Sequence, residues 1–193
     1  LIYPNDFIPL AENTGLIQGL TRYVLEMVCA QMSEWDRGGT DCALGKKYTA
    51  LALTRALQAQ GRAATFRATG QTGIMIAGSG VPMDALVADF LAGAAEALSP
   101  DNDPAHWDVI EGQGSLLHPA YAAVTLGLLH GSQPDAIVLC HAPDRVTIEE
   151  YPDYPIPPLP QVIDHRLRAG RLTNRNIRCV RVSINSSTLD DDA

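Results

Sequence analysis

The run Gly39-Thr40-Asp41-Cys42-Ala43-Leu44-Gly45-Lys46-Lys47-Tyr48-Thr49 decides the fold of this 193-residue chain. Its glycines let the backbone turn successive N–H groups inward, and a helix starting near Gly45 adds the positive end of its dipole. Lys46 adds a full charge. Together they make a cradle for phosphate, with Gly39, Thr40, Asp41, Gly45, Lys46, Lys47 and Thr49 as the candidate phosphate-binding residues. The usual phosphate-loop pattern is GxxxxGK followed by Ser or Thr. Here the first glycine stands one residue further away, and Lys47 replaces the hydroxyl that ordinarily ligates Mg²⁺. The loop is therefore expected to hold phosphate well and Mg-nucleotide poorly, and no protein-bound metal is expected. These are the chain's only 2 lysines; the other 12 of its 14 basic residues are arginine.

Working outward, 22 acidic residues against 14 basic ones give a formal charge of −8. That balance argues against a nucleic-acid partner held by bulk charge. A hydrophobic fraction of 46% with 19% charged residues is that of a globular chain. No apolar run approaches about 18 residues, so no membrane partner is expected, and no secretory signal is visible. Leu1 is not an initiator methionine, and the opening reads like the middle of a longer sequence. Cys29, Cys42, Cys140 and Cys179 lack metal-ligand spacing and fit reduced thiols in a cytoplasmic protein. Between Arg67 and Arg145 there are nine acids and no Lys or Arg, whereas Arg166 to Arg181 carries six arginines, read as a solvated helix face or an anion-facing rim.

Downstream of the loop the pattern alternates. A helix is expected from Gly45 to about Gln60, a strand over Ala63–Thr69, and a glycine-rich loop over Gly70–Pro82. A helix over Asp84–Leu98, a strand over Asp108–Gly112 and a helix over Pro119–His130 capped by Gly131 follow. Then come a strand over Asp135–His141, an extended proline-rich loop over Tyr151–Pro160, a helix over Pro160–Leu172 and a strand over Ile177–Asn185. Such alternation predicts an α/β fold, a parallel sheet flanked by helices on both faces. Upstream, residues 1–37 read as an extended segment plus an amphipathic helix through Trp35.

Ligands of such folds sit at the carboxyl ends of the strands. Glu111 ends one strand and is followed by Gly112-Gln113-Gly114, so it is a candidate base for a substrate amine or a water or metal ligand. His118 stands before the next helix and is the second catalytic candidate, or a helix cap. Arg67, Thr69, Gln71, Thr72 and Asn185 are the candidate substrate-binding residues at the other strand ends. An arginine there suits a substrate carboxylate, and pairing of Arg67 with a protein acid is the equal alternative.

Three resemblances bear on this reading. The longer loop, with Val109-Ile110-Glu111-Gly112-Gln113-Gly114, resembles that of dethiobiotin synthetase-type P-loop proteins. Residues 1–36, above all Phe7-Ile8-Pro9-Leu10-Ala11-Glu12-Asn13-Thr14-Gly15-Leu16-Ile17, resemble an internal piece of an EAL-type cyclic-di-GMP phosphodiesterase domain. That family's Glu-Ala-Leu motif is absent, so no phosphodiesterase activity is implied. Residues 38–193 resemble the C-terminal P-loop domain of the D-glutamate N-acetyltransferase family. The resemblance rests on GTDCALGKKYTALAL (39–53), FRATGQTGIMIAGSGVPMDALVADFLAGAAEAL (66–98), DVIEGQGSLLHPAYAAVTLGLLHGSQPDAIVLCH (108–141) and YPDYPIPPL (151–159). It implies a P-loop NTPase-like fold and acetyl transfer from acetyl-CoA to D-glutamate, a small-molecule substrate.

Coenzyme A carries phosphates without needing Mg²⁺, which suits a loop lacking the magnesium hydroxyl. A ligase or kinase using ATP with Mg²⁺ is the less favoured alternative, and a truncated chain that only binds phosphate is the third. The expected organisation is an EAL-like fragment over 1–37 and a P-loop-type domain over 38–193, incomplete at both ends. A P-loop follows an apolar strand; here Met32-Ser33-Glu34-Trp35-Asp36-Arg37-Gly38 occupies that place. The neighbouring strands are therefore expected to show uncovered backbone groups and apolar faces. Assembly with a second copy of the chain is left open.

Overall fold

The computed structural model describes residues 44–187. The chain divides into units at Leu1–Gly39 and Thr40–Ala193, and all described residues belong to the second. The calls on residues 1–37, Gly39, Thr40, Asp41 and Cys42 lie outside them.

The elements alternate as the apolar pattern dictates. Helix α1 runs Lys46–Ala59, strand β1 Ala64–Arg67, α2 Gln71–Ala77, and α3 Leu91–Leu98 after two 3-10 turns at Met83–Ala85 and Ala88–Phe90. Strand β2 covers Trp107–Ile110, α4 Ala122–Ser132 and β3 Ala136–His141. A hairpin of β4 (Thr147–Ile148) and β5 (Tyr151–Pro155) leads to α5, Leu159–Gly170, and β6, Arg178–Ile184.

β1 and β2 pair in parallel, Ala64 beside Trp107 through Arg67 beside Ile110. β3 and β6 also pair in parallel, from Ala136–Arg178 to His141–Ile184, with an irregularity between Ile137 and Val138. The parallel, helix-flanked α/β arrangement is therefore as expected. The difference is that the parallel strands form two separate pairs among the described residues, not one continuous sheet.

Met83, Leu91, Ala95 and Leu128 form the main apolar cluster, with Val81, Leu86, Ala94, Ile110 and Val124 packed around it. Burying a Met or Leu side chain contributes about 1.5–3 kcal/mol. Most of this contact lies where α3 meets α4, and two glycines permit it. A Cβ at Gly127 would lie 2.7 Å from the Leu91 Cβ, and one at Gly131 would lie 2.0 Å from the Ala92 carbonyl oxygen.

That contact corrects the expected helix end. Gly131 lies inside α4, and Gln133, in the left-handed region at φ 45°, closes the helix. The same helix begins at Ala122, later than expected, and just upstream the His118 ring accepts the Ala120 N–H. The expected Gly70–Pro82 loop contains α2, with Gly70 and Gly78 at its ends. The expected Asp84–Leu98 helix is regular only over its second half. The proline-rich segment is not wholly loop, since β5 pairs antiparallel with β4.

Candidate functional site

The carboxyl ends of β1 and β2 are bound together through Glu111. Its Oε2 accepts the backbone N–H groups of Thr69 at 3.0 Å and Gly70 at 3.1 Å. The Thr69 hydroxyl donates to the Glu111 carbonyl at 2.7 Å, and the Gln113 side-chain amide donates to that hydroxyl at 3.1 Å. Thr125 of α4 donates to the Gln113 carbonyl at 2.7 Å, fixing the turn after β2 from behind. Glu111 is 4% exposed and Thr69 is fully buried. A buried carboxylate is tolerable here because backbone donors at the start of α2 face it. Gly73 sits where the carboxylate needs room: a Cβ would lie 2.2 Å from Oε2.

Lys46 reaches the same turn. Gly45 enters α1 at φ 83°, in the left-handed region that favours glycine. Lys46 and Lys47 are then the first two residues of a 14-residue helix. A Cβ on Gly112 would lie 3.2 Å from the Lys46 Cδ, so the lysine stem lies over the residue after Glu111. Lys46, Thr69, Glu111 and Gln113 are thus one constellation. Thr49, one turn on, faces elsewhere: its hydroxyl is 3.0 Å from that of Ser183 on β6 and accepts from the Cys140 thiol at 3.6 Å.

His118 is 4% exposed. Its Nδ1 accepts the Ala120 N–H at 3.1 Å, and its ring stacks on Tyr121 at 4.4 Å and meets the edge of Tyr151 at 5.2 Å. A neutral histidine accepting at Nδ1 carries its proton on Nε2. In that state it can donate through Nε2 but cannot take a proton there.

Arg67 has a protein partner. Its Nε donates to Asp108 Oδ1 at 2.7 Å, while Asn102 donates to Oδ2 at 2.7 Å. The terminal guanidinium nitrogens of Arg67 have no acceptor among the described residues. Gln71 and Thr72 open α2, next to the Glu111 constellation. Asn185 lies at the end of the other strand pair; its N–H donates to the His141 carbonyl at 2.8 Å and its side chain accepts from Ser187 at 3.1 Å.

The sequence reading missed Gln113 as the link between Thr69 and α4, although it named the motif containing it. It grouped Arg166 of α5 with the arginines up to Arg181, as a solvated face or an anion-facing rim, and did not single it out. Burial lowers the pKa of this guanidinium, with the nearby Cys140 and Cys179 opposing that effect, and its Nε has no hydrogen-bond partner among the described residues. Burial of one arginine within an arginine-rich amphipathic helix, with its Nε unpartnered among the described residues, leaves no separate mark in the sequence. Arg166 lines a cavity of about 400 Å³ between the two strand pairs, together with Lys46 and Gly112.

Two relatives named D-glutamate N-acetyltransferase are each 52% identical to the chain. The Tritonibacter scottomollicae protein matches over 154 residues, 80% of this chain and 46% of its own length. The Pseudoalteromonas protein matches over 151 residues, 78% of this chain and 46% of its own. The chain thus spans about half the length of these curated relatives. A 57-residue stretch, 29% of the chain, is 42% identical to a bifunctional diguanylate cyclase/cyclic di-GMP phosphodiesterase of Pseudomonas aeruginosa, covering 8% of that protein. The crystal structure of a DUF1611 family protein from Anabaena variabilis superposes with a TM-score of 0.75 at 40% identity, over 80% of this chain and 45% of that one. The model of the P-loop domain DUF1611_C, described as a domain of unknown function, matches residues 36–193, and the chain belongs to the DUF1611 family.

Proposed function

We propose that residues 38–193 form the phosphate- and amine-handling part of an acetyl-CoA-dependent N-acetyltransferase acting on D-glutamate. The observation that carries the reading is the meeting of Lys46 with the turn after Glu111, with Lys47 standing in the magnesium-ligand position. A helix start bearing two lysines and no hydroxyl at that position suits phosphates that come without a metal. The names of the two relatives supply the acceptor and the reaction class.

Acetyl-CoA, when bound, supplies an activated acyl carbon and a thiolate leaving group. Lys46, Lys47 and the first N–H groups of α1 would hold its phosphates, together with Gly39, Thr40 and Asp41. The terminal guanidinium nitrogens of Arg67, with Gln71 and Thr72, would hold the acceptor's carboxylates. An ammonium cannot attack a thioester; the nitrogen must first lose a proton. Glu111 is the proposed acceptor of that proton. His118, already accepting at Nδ1, is assigned the complementary role of donating through Nε2. Carbon–nitrogen bond formation and carbon–sulfur bond cleavage then balance, with the thiol and an N-acetyl amino acid as products.

The test uses the full 193-residue chain. Calorimetric titration with coenzyme A, with ATP plus Mg²⁺, and with D- and L-glutamate is expected to show coenzyme A binding without Mg²⁺. Thiol release from acetyl-CoA is expected with D-glutamate and not with its L-enantiomer. Binding of ATP with Mg²⁺ but not coenzyme A would overturn the proposal in favour of a ligase or kinase.

A further inference from the structure

The side-chain amide of Gln113 has only one possible orientation. A threonine hydroxyl carries a single proton, and the Thr69 hydroxyl gives its proton to the Glu111 carbonyl at 2.7 Å. Toward Gln113 that oxygen can only accept. The amide must therefore turn Nε2 to it, and does so at 3.1 Å. The backbone of Gln113 is fixed as well, since its carbonyl accepts from Thr125 of α4 at 2.7 Å. Both ends of the residue are held, and one Nε2 hydrogen is left over, with no acceptor among the described residues.

That amide lies over Gly70. A Cβ at Gly70 would lie 2.5 Å from Gln113 Nε2, 3.5 Å from its Cδ and 3.6 Å from Glu111 Oε1. Gly70 has φ −119° and ψ 159°, an extended conformation open to any residue. Space and not the backbone therefore calls for glycine here, because a side chain would displace the amide. The Gln113 amide and the Glu111 carboxylate thus converge above one glycine. Oε2 of Glu111 is occupied by the Thr69 and Gly70 N–H groups, whereas Oε1 accepts from no donor among the described residues. Gly70 and Gln113 are both half-buried, so this patch opens to solvent.

A carboxylate oxygen close to an amide N–H sets an acceptor of negative charge beside a donor. The complementary ligand sets a cationic donor beside an anionic acceptor. The head group of an α-amino acid does this, because its ammonium and carboxylate share one carbon. An amine without that carboxylate matches only half of the pair. We propose that Gln113 is a specificity-determining residue for the acceptor: its free Nε2 hydrogen holds the α-carboxylate while Glu111 Oε1 takes the ammonium. This rests on the reading of Glu111 as the residue that receives the amine's proton. It leaves the side-chain carboxylate of the acceptor to Arg67, Gln71 and Thr72. Ammonium, α-carboxylate and side chain are then three points of attachment, enough to tell one enantiomer from the other.

The test compares D-glutamate with 4-aminobutyrate, the same molecule without its α-carboxylate, by calorimetric titration of the full chain. The parent is expected to bind D-glutamate about ten-fold or more tightly than 4-aminobutyrate. Gln113→Met keeps the length of the side chain and removes its N–H. Gly70→Ala keeps Gln113 and pushes its amide aside. Each should reduce the preference to about two-fold or less, by weakening D-glutamate. Thr125→Val loosens the turn from behind without touching the amide, and should weaken the two ligands alike. If all three variants weaken both ligands alike, Gln113 is only structural and the proposal is overturned. An unchanged preference in Gln113→Met and Gly70→Ala would overturn it too. D-alanine against ethylamine separates this proposal from the acceptor named above. If D-glutamate fails to bind while D-alanine shows the same Gln113-dependent preference, Gln113 keeps its role and the acceptor is another α-amino acid. If neither amino acid binds, the role of Gln113 falls, whatever coenzyme A does.

Discussion

Glu111 and Gly73 are two halves of one arrangement, and each is testable alone. Gly73→Ala puts a methyl group 2.2 Å from the carboxylate oxygen, so either the carboxylate or α2 must move. The expected loss is about 2 kcal/mol, read as a lowered urea midpoint with unchanged slope. Glu111→Gln keeps the shape but replaces the proposed proton acceptor with an amide, and is expected to lower kcat about 100-fold or more. Retained turnover in Glu111→Gln would move the base elsewhere. Lys47→Thr supplies the hydroxyl of the common phosphate loop and is expected to strengthen Mg²⁺-dependent ATP binding relative to the parent, measured by calorimetry. At this scale the sequence marked Lys46, Thr69 and Glu111, which the structure brings together, although Thr69, expected to bind substrate, is fully buried with its hydroxyl bonded to Glu111 and Gln113. It left Arg67 undecided, since Asp108 is 41 residues away and becomes its neighbour only once β1 and β2 align.

Among the elements, glycine was the residue most easily misread. The cluster from Gly70 to Gly80 suggested a loop, yet Gly73 lies inside α2 because Glu111 occupies the space of its side chain. Gly131 suggested a helix cap, yet it lies inside α4 because Ala92 of α3 passes within contact. Both are tertiary demands, and no local pattern announces them. The strands and α1 were legible because apolar runs bounded by turns and a helix of strong helix formers need no distant partner. Gly93 and Gly131 make a matched pair for testing this view. Gly131→Ala should destabilise the protein by about 2 kcal/mol or more, since the added methyl meets backbone. Gly93→Ala, on the open side of α3, meets nothing within 4 Å and should stabilise it by about 0.5–1 kcal/mol. Paired thermal melts of the two variants check both signs.

For the molecule as a whole, β2 and β3 each pair along one edge among the described residues, and both line one cavity, which the sequence alone could not show. Few polar contacts bridge the strand pairs. α1 is one such bridge: Gln58 near its end donates to the Ala64 carbonyl at 2.9 Å, and Thr49 near its start meets Ser183 of β6 at 3.0 Å. The covalent bridge is the chain through α4. A helix held at one end by each half behaves as a tie rod, so the halves are free to open at different free energies. Amides of β3 and β6 should then exchange as one cooperative group and those of β1 and β2 as another. Thr49→Val, which removes the tie without removing volume, should widen the gap between their opening energies while leaving each group internally cooperative.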